Sequence, residues 1–305
     1  MRIHHLNCGT MCPWGARLMD GRDRGPGPAR VVCHVLLIET DRHGLVLVDT
    51  GLGQRDVRDP TRISPLFRAL NRPQLRLEDT ATWQVRRLGF DPRDVRHIVL
   101  THLDFDHAGG LEDFPQATIH VLGAEFDAAA KAVIDPRAGL IARHRYRLPQ
   151  WDDSLRWRTY EPVGEGWFGF QSVRDLDGLP PEILFVPLAG HTHGHSGVAV
   201  KVEDGWMLHA GDAYFHEAEM DSHAPDCPPG LRFYQTMMEV DRRSRLANQH
   251  RLRGLAREFS HEVLVFCAHD AHELEVLQRC RNGGARIGMA ADMLATDRPR
   301  AAAYA

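Results

Sequence analysis

Residues 101–110 read THLDFDHAGG, and within them His102, Asp104, Asp106 and His107 crowd four metal-binding side chains into six positions. The run leaves a short apolar strand and precedes a glycine pair that opens a helix. A loop leaving a strand aims alternate side chains toward one point, as a chelating site requires. Carboxylates and imidazoles packed together with no lysine or arginine among them call for a cation. Taken alone, the segment has a plainer reading as a solvated acidic turn with incidental histidines. Three later segments repeat the arrangement of a strand followed at once by a ligand type: VPLAGHTHGH at 186–195, LHAGD at 208–212 and VFCAHD at 265–270. Each places a histidine or an aspartate at a strand end. Residues at the same end of several strands converge on one site, so the four segments together predict a complete coordination shell. Nineteen histidines in 305 residues point the same way. Two metal ions a few ångströms apart would turn a water bridging them into a hydroxide nucleophile near neutral pH and polarise a carbonyl or phosphoryl oxygen. No serine or cysteine nucleophile is then needed.

The elements that must position these residues are legible in outline. Residues 31–40 (VVCHVLLIET) and 45–48 are apolar runs separated by a polar turn, which predicts a hairpin buried on both faces. Asp49, Thr50 and Gly51 end its second strand. Helical spacing at Ala81, Val85 and Leu88, stopped by Gly89, predicts a helix over 78–88, and 97–101 (HIVLT) predicts the strand that delivers the histidine cluster. Further strands are expected at 118–122, 182–188, 197–202, 206–210 and 263–267, with one long helix or two over 231–259. Such mixed order predicts a layered α/β body. Residues 124–170 fit it less well: a helix, then RHRYRLPQWDDSLRWRTY with little alternation, read as a helical and irregular insertion packed over the body. Its Trp151, Trp157, Trp167 and Phe168 are candidates for the wall of a hydrophobic pocket, with core packing as the alternative. No repeat or Gly/Ser linker marks a second domain, so residues 1–305 are expected to form one.

Composition excludes several classes. A net charge of −4 leaves no basic stripe for nucleic acid. No export signal and no long apolar run is present, so a cytoplasmic protein with no membrane partner is expected. Six cysteines (8, 12, 33, 227, 267, 280) lack the density of a disulfide framework and read as free thiols.

The combined motifs resemble the metallo-β-lactamase superfamily, whose usual loop is H-x-H-x-D-H, followed by a histidine in a G-H-T-x-G-H segment, a bridging aspartate after a glycine and a last histidine after a strand. The resemblance runs from about residue 31 to His269 and includes Asp49-Thr50-Gly51. It implies an α/β fold, the αββα four-layer sandwich, with the metal site at one edge of two facing sheets. Within the superfamily the HLDFDHAGG run is most similar to the quorum-quenching lactonases that open N-acyl-homoserine lactones. The resemblance implies two divalent ions, zinc with iron or manganese as alternatives: one on His102, Asp104 and His191, one on Asp106, His107 and His269, with Asp212 bridging. Asp104 departs from the pattern by standing where a second histidine is usual, which makes the first site harder and less selective. Flavodiiron proteins of the same fold also carry an acidic residue there, so a di-iron redox centre is the alternative.

By the same resemblance Asp106 is a candidate catalytic proton donor to the leaving oxygen. Tyr214 is a candidate hydrogen-bond donor to the oxyanion, with a core aromatic as the alternative, because the lactonase tyrosine comes three residues after its aspartate, where this chain has Phe215. His195 usually supports the loop, and His193 and His209 read as supporting or surface groups. Asp49 either fixes the tautomer of a ligand histidine or caps a turn. The expected activity is hydrolysis of a lactone or ester with an apolar portion, with other esters, thioesters or phosphoesters as alternatives. The expected partner is a small-molecule substrate, and a homodimer is left open.

Overall fold

In the computed structural model, residues 1–21, 27–135, 139–146, 154–283 and 287–296 are described. Alternation within the predicted hairpin decides the layering. Leu36 and Ile38 face one way and Val35 and Leu37 the other, and all four are buried, so the sheet that contains them is covered on both faces. That sheet has six strands in the order β1 (Arg2–Met11), β2 (Val31–Glu39), β3 (Leu45–Val48), β4 (Val95–Val99), β5 (Thr118–Leu122) and β6 (Arg156–Tyr160). The β1–β2–β3 pairs are antiparallel and the rest parallel. The second sheet uses β7 (Glu165–Trp167), β8 (Phe170–Asp175), β9 (Ile183–Pro187), β10 (Ser196–Val202), β11 (Gly205–His209) and β12 (Val263–Phe266), in the order β12-β11-β10-β9-β8-β7.

The facing sides of the two sheets share one core. Leu36, Ile38, Val46, Val48 and Val99 meet Phe185, Val198, Val200 and Phe266 there. On the outer face of the first sheet, Val35, Leu37, Leu47 and Ile98 pack against Ala81 and Val85 of the helix Ala81–Arg87 and Ala129 and Ala132 of the helix Gly123–Ile134. On the outer face of the second, Val186, Leu208 and Val265 pack against Leu252 and Leu255 of the helix Arg242–Glu258. The result is the αββα sandwich, each layer hydrophobic on the side it turns to its neighbour.

Two regions differ from the sequence reading. The first strand, Arg2–Met11, carries paired histidines, Asn7 and Gly9, and its register shifts between Asn7 and Thr10, so no clean alternation announces it. Residues 124–170 are only partly an insertion. After the helices Gly123–Ile134 and Leu140–Arg145, residues Arg156–Tyr160 join the first sheet as its edge strand and Glu165–Trp167 the second. An edge strand that buries Tyr160 and leaves Arg156, Arg158 and Thr159 exposed has no reason to alternate. The stretch 231–259 is two helices, Pro229–Met238 and Arg242–Glu258, the second capped by Asp241, whose carboxylate accepts from the Ser244 amide at 3.1 Å.

Candidate metal centre

Asp49, His102, His191, Asp212 and His269 each follow the C-terminal end of a strand, β3, β4, β9, β11 and β12 respectively, and those ends lie at one edge of the sandwich. A single helical turn, Phe105–Ala108, then carries Asp106 and His107. Asp104 sits at its N-cap position but makes no capping bond, which leaves its carboxylate free to turn inward. The loop after β3 is pressed against this turn. A Cβ on Gly53 would stand 2.2 Å from the Gly109 carbonyl oxygen, and one on Gly51, whose φ is 64°, would stand 2.2 Å from that of Cys8. Only glycine fits either position.

All seven predicted side chains meet. Three buried trios, His102/Asp104/His191, His102/His107/Asp212 and Asp106/His107/His269, each offer ligand atoms within 4.8 Å of one another. Asp212 is central: its Oδ1 lies 3.3 Å from His107 Nε2 and 3.2 Å from His269 Nε2, and its Oδ2 lies 3.3 Å from His191 Nε2 and 3.8 Å from His102 Nε2. One carboxylate thus reaches the histidines of all three trios. His102 Nε2, His107 Nε2 and Asp212 Oδ1 are buried with no hydrogen-bond partner. Orphaned lone pairs of this kind, on imidazole and carboxylate, are what divalent cations satisfy, so the donor set fits two of them.

Neighbouring groups hold the imidazoles in place. His107 Nδ1 donates to Asp49 Oδ2 at 2.8 Å, and the same carboxylate accepts from the Thr101 amide and hydroxyl, both at 2.8 Å. Asp49 therefore both fixes the tautomer of His107 and ties down the start of the loop. His269 Nδ1 donates to the Val32 carbonyl at 2.7 Å, which turns its Nε2 to the centre. His195 donates from Nδ1 to the Leu188 carbonyl and accepts the Asp212 amide at Nε2, so it supports the loops from outside. His209 is bonded to the His34 carbonyl and the Gly211 amide, and His193 is exposed.

Charge is unevenly shared. Burial works against an ionised Asp212, yet the imidazoles of His269, His107, His191 and His102 hold it well below the usual carboxylate range. Burial likewise opposes ionisation of Asp104, and Arg145 and His102 more than offset it. Burial would lower His107, but Asp212 and Asp49 raise it well above the usual histidine value. The centre is a buried excess of negative charge that attracts either protons or cations, so cation binding there competes with protonation.

Tyr214 does not join the group. It is fully buried, and its hydroxyl donates to Glu273 Oε1 at 2.8 Å. Strand alternation has no hold on a residue past the end of β11, which is why position alone misplaces it. Phe215 stacks on the His269 ring, centroids 4.9 Å apart, and meets Tyr234 edge-on at 6.0 Å. Tyr234, from the helix Pro229–Met238, has no hydrogen-bond partner among the described residues. Burial and the nearby Asp106, Asp104 and Asp212 carboxylates push its phenol well up, so it stays protonated. The aromatic wall is also relocated. Trp157 packs on Phe126, and Trp167 and Phe168 pack with Trp206 and Phe259 outside the second sheet, because edge strands carry them away from the centre. Trp151 lies outside the described residues.

Two buried charged residues had no signal in the sequence. Glu125 accepts from the amides of Leu103 and Gly194, both at 3.0 Å, clamping two ligand loops together. Arg145 lies 3.1 Å through Nε from Asp104 Oδ1 and donates through an Nη to the His191 carbonyl at 3.0 Å. Both come from helices in a stretch whose polar pattern gives no clue to its partners.

Residues 28–269 match the model of the metallo-β-lactamase superfamily. The chain belongs to that superfamily. A Mycobacterium tuberculosis protein named "Probable metallo-hydrolase" is 42% identical over 270 residues, covering 88% of this chain and 80% of that protein. An N-acyl homoserine lactonase of a Bacillus species is 27% identical over 191 residues, 62% of this chain and 66% of that one. Among solved structures, an N-acyl homoserine lactone hydrolase with the product N-hexanoyl-L-homoserine bound at its catalytic metal centre superposes with a TM-score of 0.62 at 21% identity, covering 90% of this chain and 95% of that chain, a likeness of fold. This superfamily member is a metallo-hydrolase, distantly similar to the lactonases. Among its described residues no helix is long and apolar enough to cross a membrane.

Proposed function

We propose that this metallo-hydrolase opens the ester bond of a lactone, or of a related ester, that carries an apolar portion, using two divalent cations. The observation that carries the reading is the bridge: Asp212 within 3.8 Å of four imidazoles, with orphaned nitrogen and oxygen atoms turned inward. His102, Asp104 and His191 would hold one ion and Asp106, His107 and His269 the other. Bound there, the ions would supply a water of lowered pKa and polarise the ester carbonyl. Zinc is our first choice, and the carboxylate of Asp104 favours iron or manganese more than a third imidazole would.

The chain's own groups do the rest. Asp106, the most exposed of the three carboxylates at 7%, would return a proton to the leaving alkoxide. The Tyr234 phenol, protonated and without a hydrogen-bond partner among the described residues, would donate to the oxygen on which negative charge develops. Phe215, stacked on His269, keeps water from that side. A cavity of about 670 Å³ is lined by His193 and by Arg145, the ion-pair partner of Asp104, and its Ala124, Ala128, Ile141 and Met237 suit an acyl chain. Similarity to lactonases supports the substrate class. The test is turnover of acyl lactones and aryl esters by protein loaded with zinc, cobalt or manganese. Activity no greater than that of the chelated control would refute the proposal.

A further inference from the structure

Arg145 is a cation buried to 3% exposure beside a centre whose purpose is to hold cations. Such a placement is costly unless the charge is matched. Its match is Asp104: guanidinium Nε lies 3.1 Å from Oδ1, while Oδ2 of the same carboxylate lies 3.2 Å from His191 Nε2 and 3.6 Å from His102 Nε2. The two oxygens are thus divided, one toward the guanidinium and one toward the ligand atoms of the first trio. The remaining guanidinium nitrogens donate to the His191 and Met238 carbonyls, so the group is fixed in place and cannot swing into the cavity to meet a substrate.

We propose that Asp104 and Arg145 act together as one ligand of zero net charge, the guanidinium cancelling the carboxylate that stands where the family loop carries a neutral histidine. On this view the change from histidine to aspartate leaves the charge of the centre where it was. It moves one positive charge to the outer side of the ligand, held by a helix, Leu140–Arg145, that lies outside both sheets. Arg145 is a positioning and charge-balancing residue, its guanidinium committed to Asp104 and to the two carbonyls. The inference rests on the two-cation reading above.

The pair makes a prediction about zinc binding that needs no substrate. Asp104→His leaves Arg145 unmatched beside a divalent ion, and at the effective dielectric of a protein site one uncompensated charge at this range weakens one binding step by about tenfold or more. Removing that charge as well, in Asp104→His/Arg145→Met, restores the step to within a few-fold of wild type. Competition against a chromophoric chelator, with zinc alone as the probe, reads both steps in all three proteins. A residue that merely props the fold would add its own defect, so a double variant binding no more tightly than Asp104→His overturns the proposal. Asp104→His/Arg145→Gln, whose amide can still donate to the two carbonyls, repeats the comparison should the methionine form fail to fold. If wild type takes up no zinc, the two-cation reading itself fails. Two equivalents in wild type without rescue in either double variant refute this inference alone.

Discussion

Asp49→Asn is the perturbation whose size can be worked out most fully. The carboxylate accepts three hydrogen bonds of 2.8 Å, one from His107 Nδ1 and two from Thr101. An asparagine keeps the shape but has one acceptor oxygen, and its amide nitrogen would oppose either the His107 N–H or a Thr101 donor. Losing a hydrogen bond to a charged acceptor costs about 1.5–3 kcal/mol. Removing a partner of a ligand histidine typically weakens metal binding by about 10- to 100-fold, or about 1.4–2.8 kcal/mol, so the two routes agree. The loss falls mainly on the site that uses His107, whose Nδ1 is bonded to Asp49 directly, whereas His102 is reached only through the Thr101 hydroxyl, 3.0 Å from its Nδ1. Zinc titration against a competing chelator is expected to show one step weakened by that factor and the other little changed. Urea unfolding in parallel verifies that the variant is folded. Two unchanged steps, or two steps weakened equally, would refute the role given to Asp49.

The two tyrosines separate cleanly. Tyr234→Phe is expected to cut kcat/KM on a susceptible lactone by about a hundredfold with zinc content unchanged. Tyr214→Phe is expected to spare turnover and cost about 1–3 kcal/mol of stability in urea, because Glu273 loses its donor. Reversed effects would return Tyr214 to the site. His120, between His97 Nδ1 and the Tyr160 hydroxyl, is held at about pKa 3 by burial, His97 and Arg158. Its folded value lies below the unfolded value near 6.5, so the unfolded chain takes up the proton first. The stability it contributes is complete above about pH 6.5 and falls as pH drops toward 3, by about 1.4 kcal/mol per unit. His120→Gln should flatten the decline in urea midpoint between pH 7 and 5 relative to wild type, and parallel declines would show the assignment to be mistaken.

Which segments meet at the centre was legible in the sequence because each carries a ligand type just after an apolar strand, and strand ends converge; which histidine of 191, 193 and 195 joins it came from the resemblance to the superfamily. The hairpin at 31–48 and strand 118–122 were legible for the same reason, being apolar runs with sharp boundaries. Strand Arg2–Met11 was not, since histidines and a bulge break its period. Nor was strand Arg156–Tyr160, an edge whose side chains mostly face water. Tyr214 and Tyr234 show the limit most clearly. Separation from Asp212 along the chain favours the first. The helix Pro229–Met238, folding back over Phe215, brings in the second. Arg145 and Glu125 were hidden because pairing between a helix and a distant loop leaves no periodic trace.

Metal content decides whether Asp212 joins a pair of cations. Protein prepared without chelators, offered zinc and then desalted, should carry two equivalents by elemental analysis, and His107→Ala and His269→Ala should each lower that number while the protein remains folded. No stoichiometric metal in wild type, or two equivalents retained in both variants, would contradict the account.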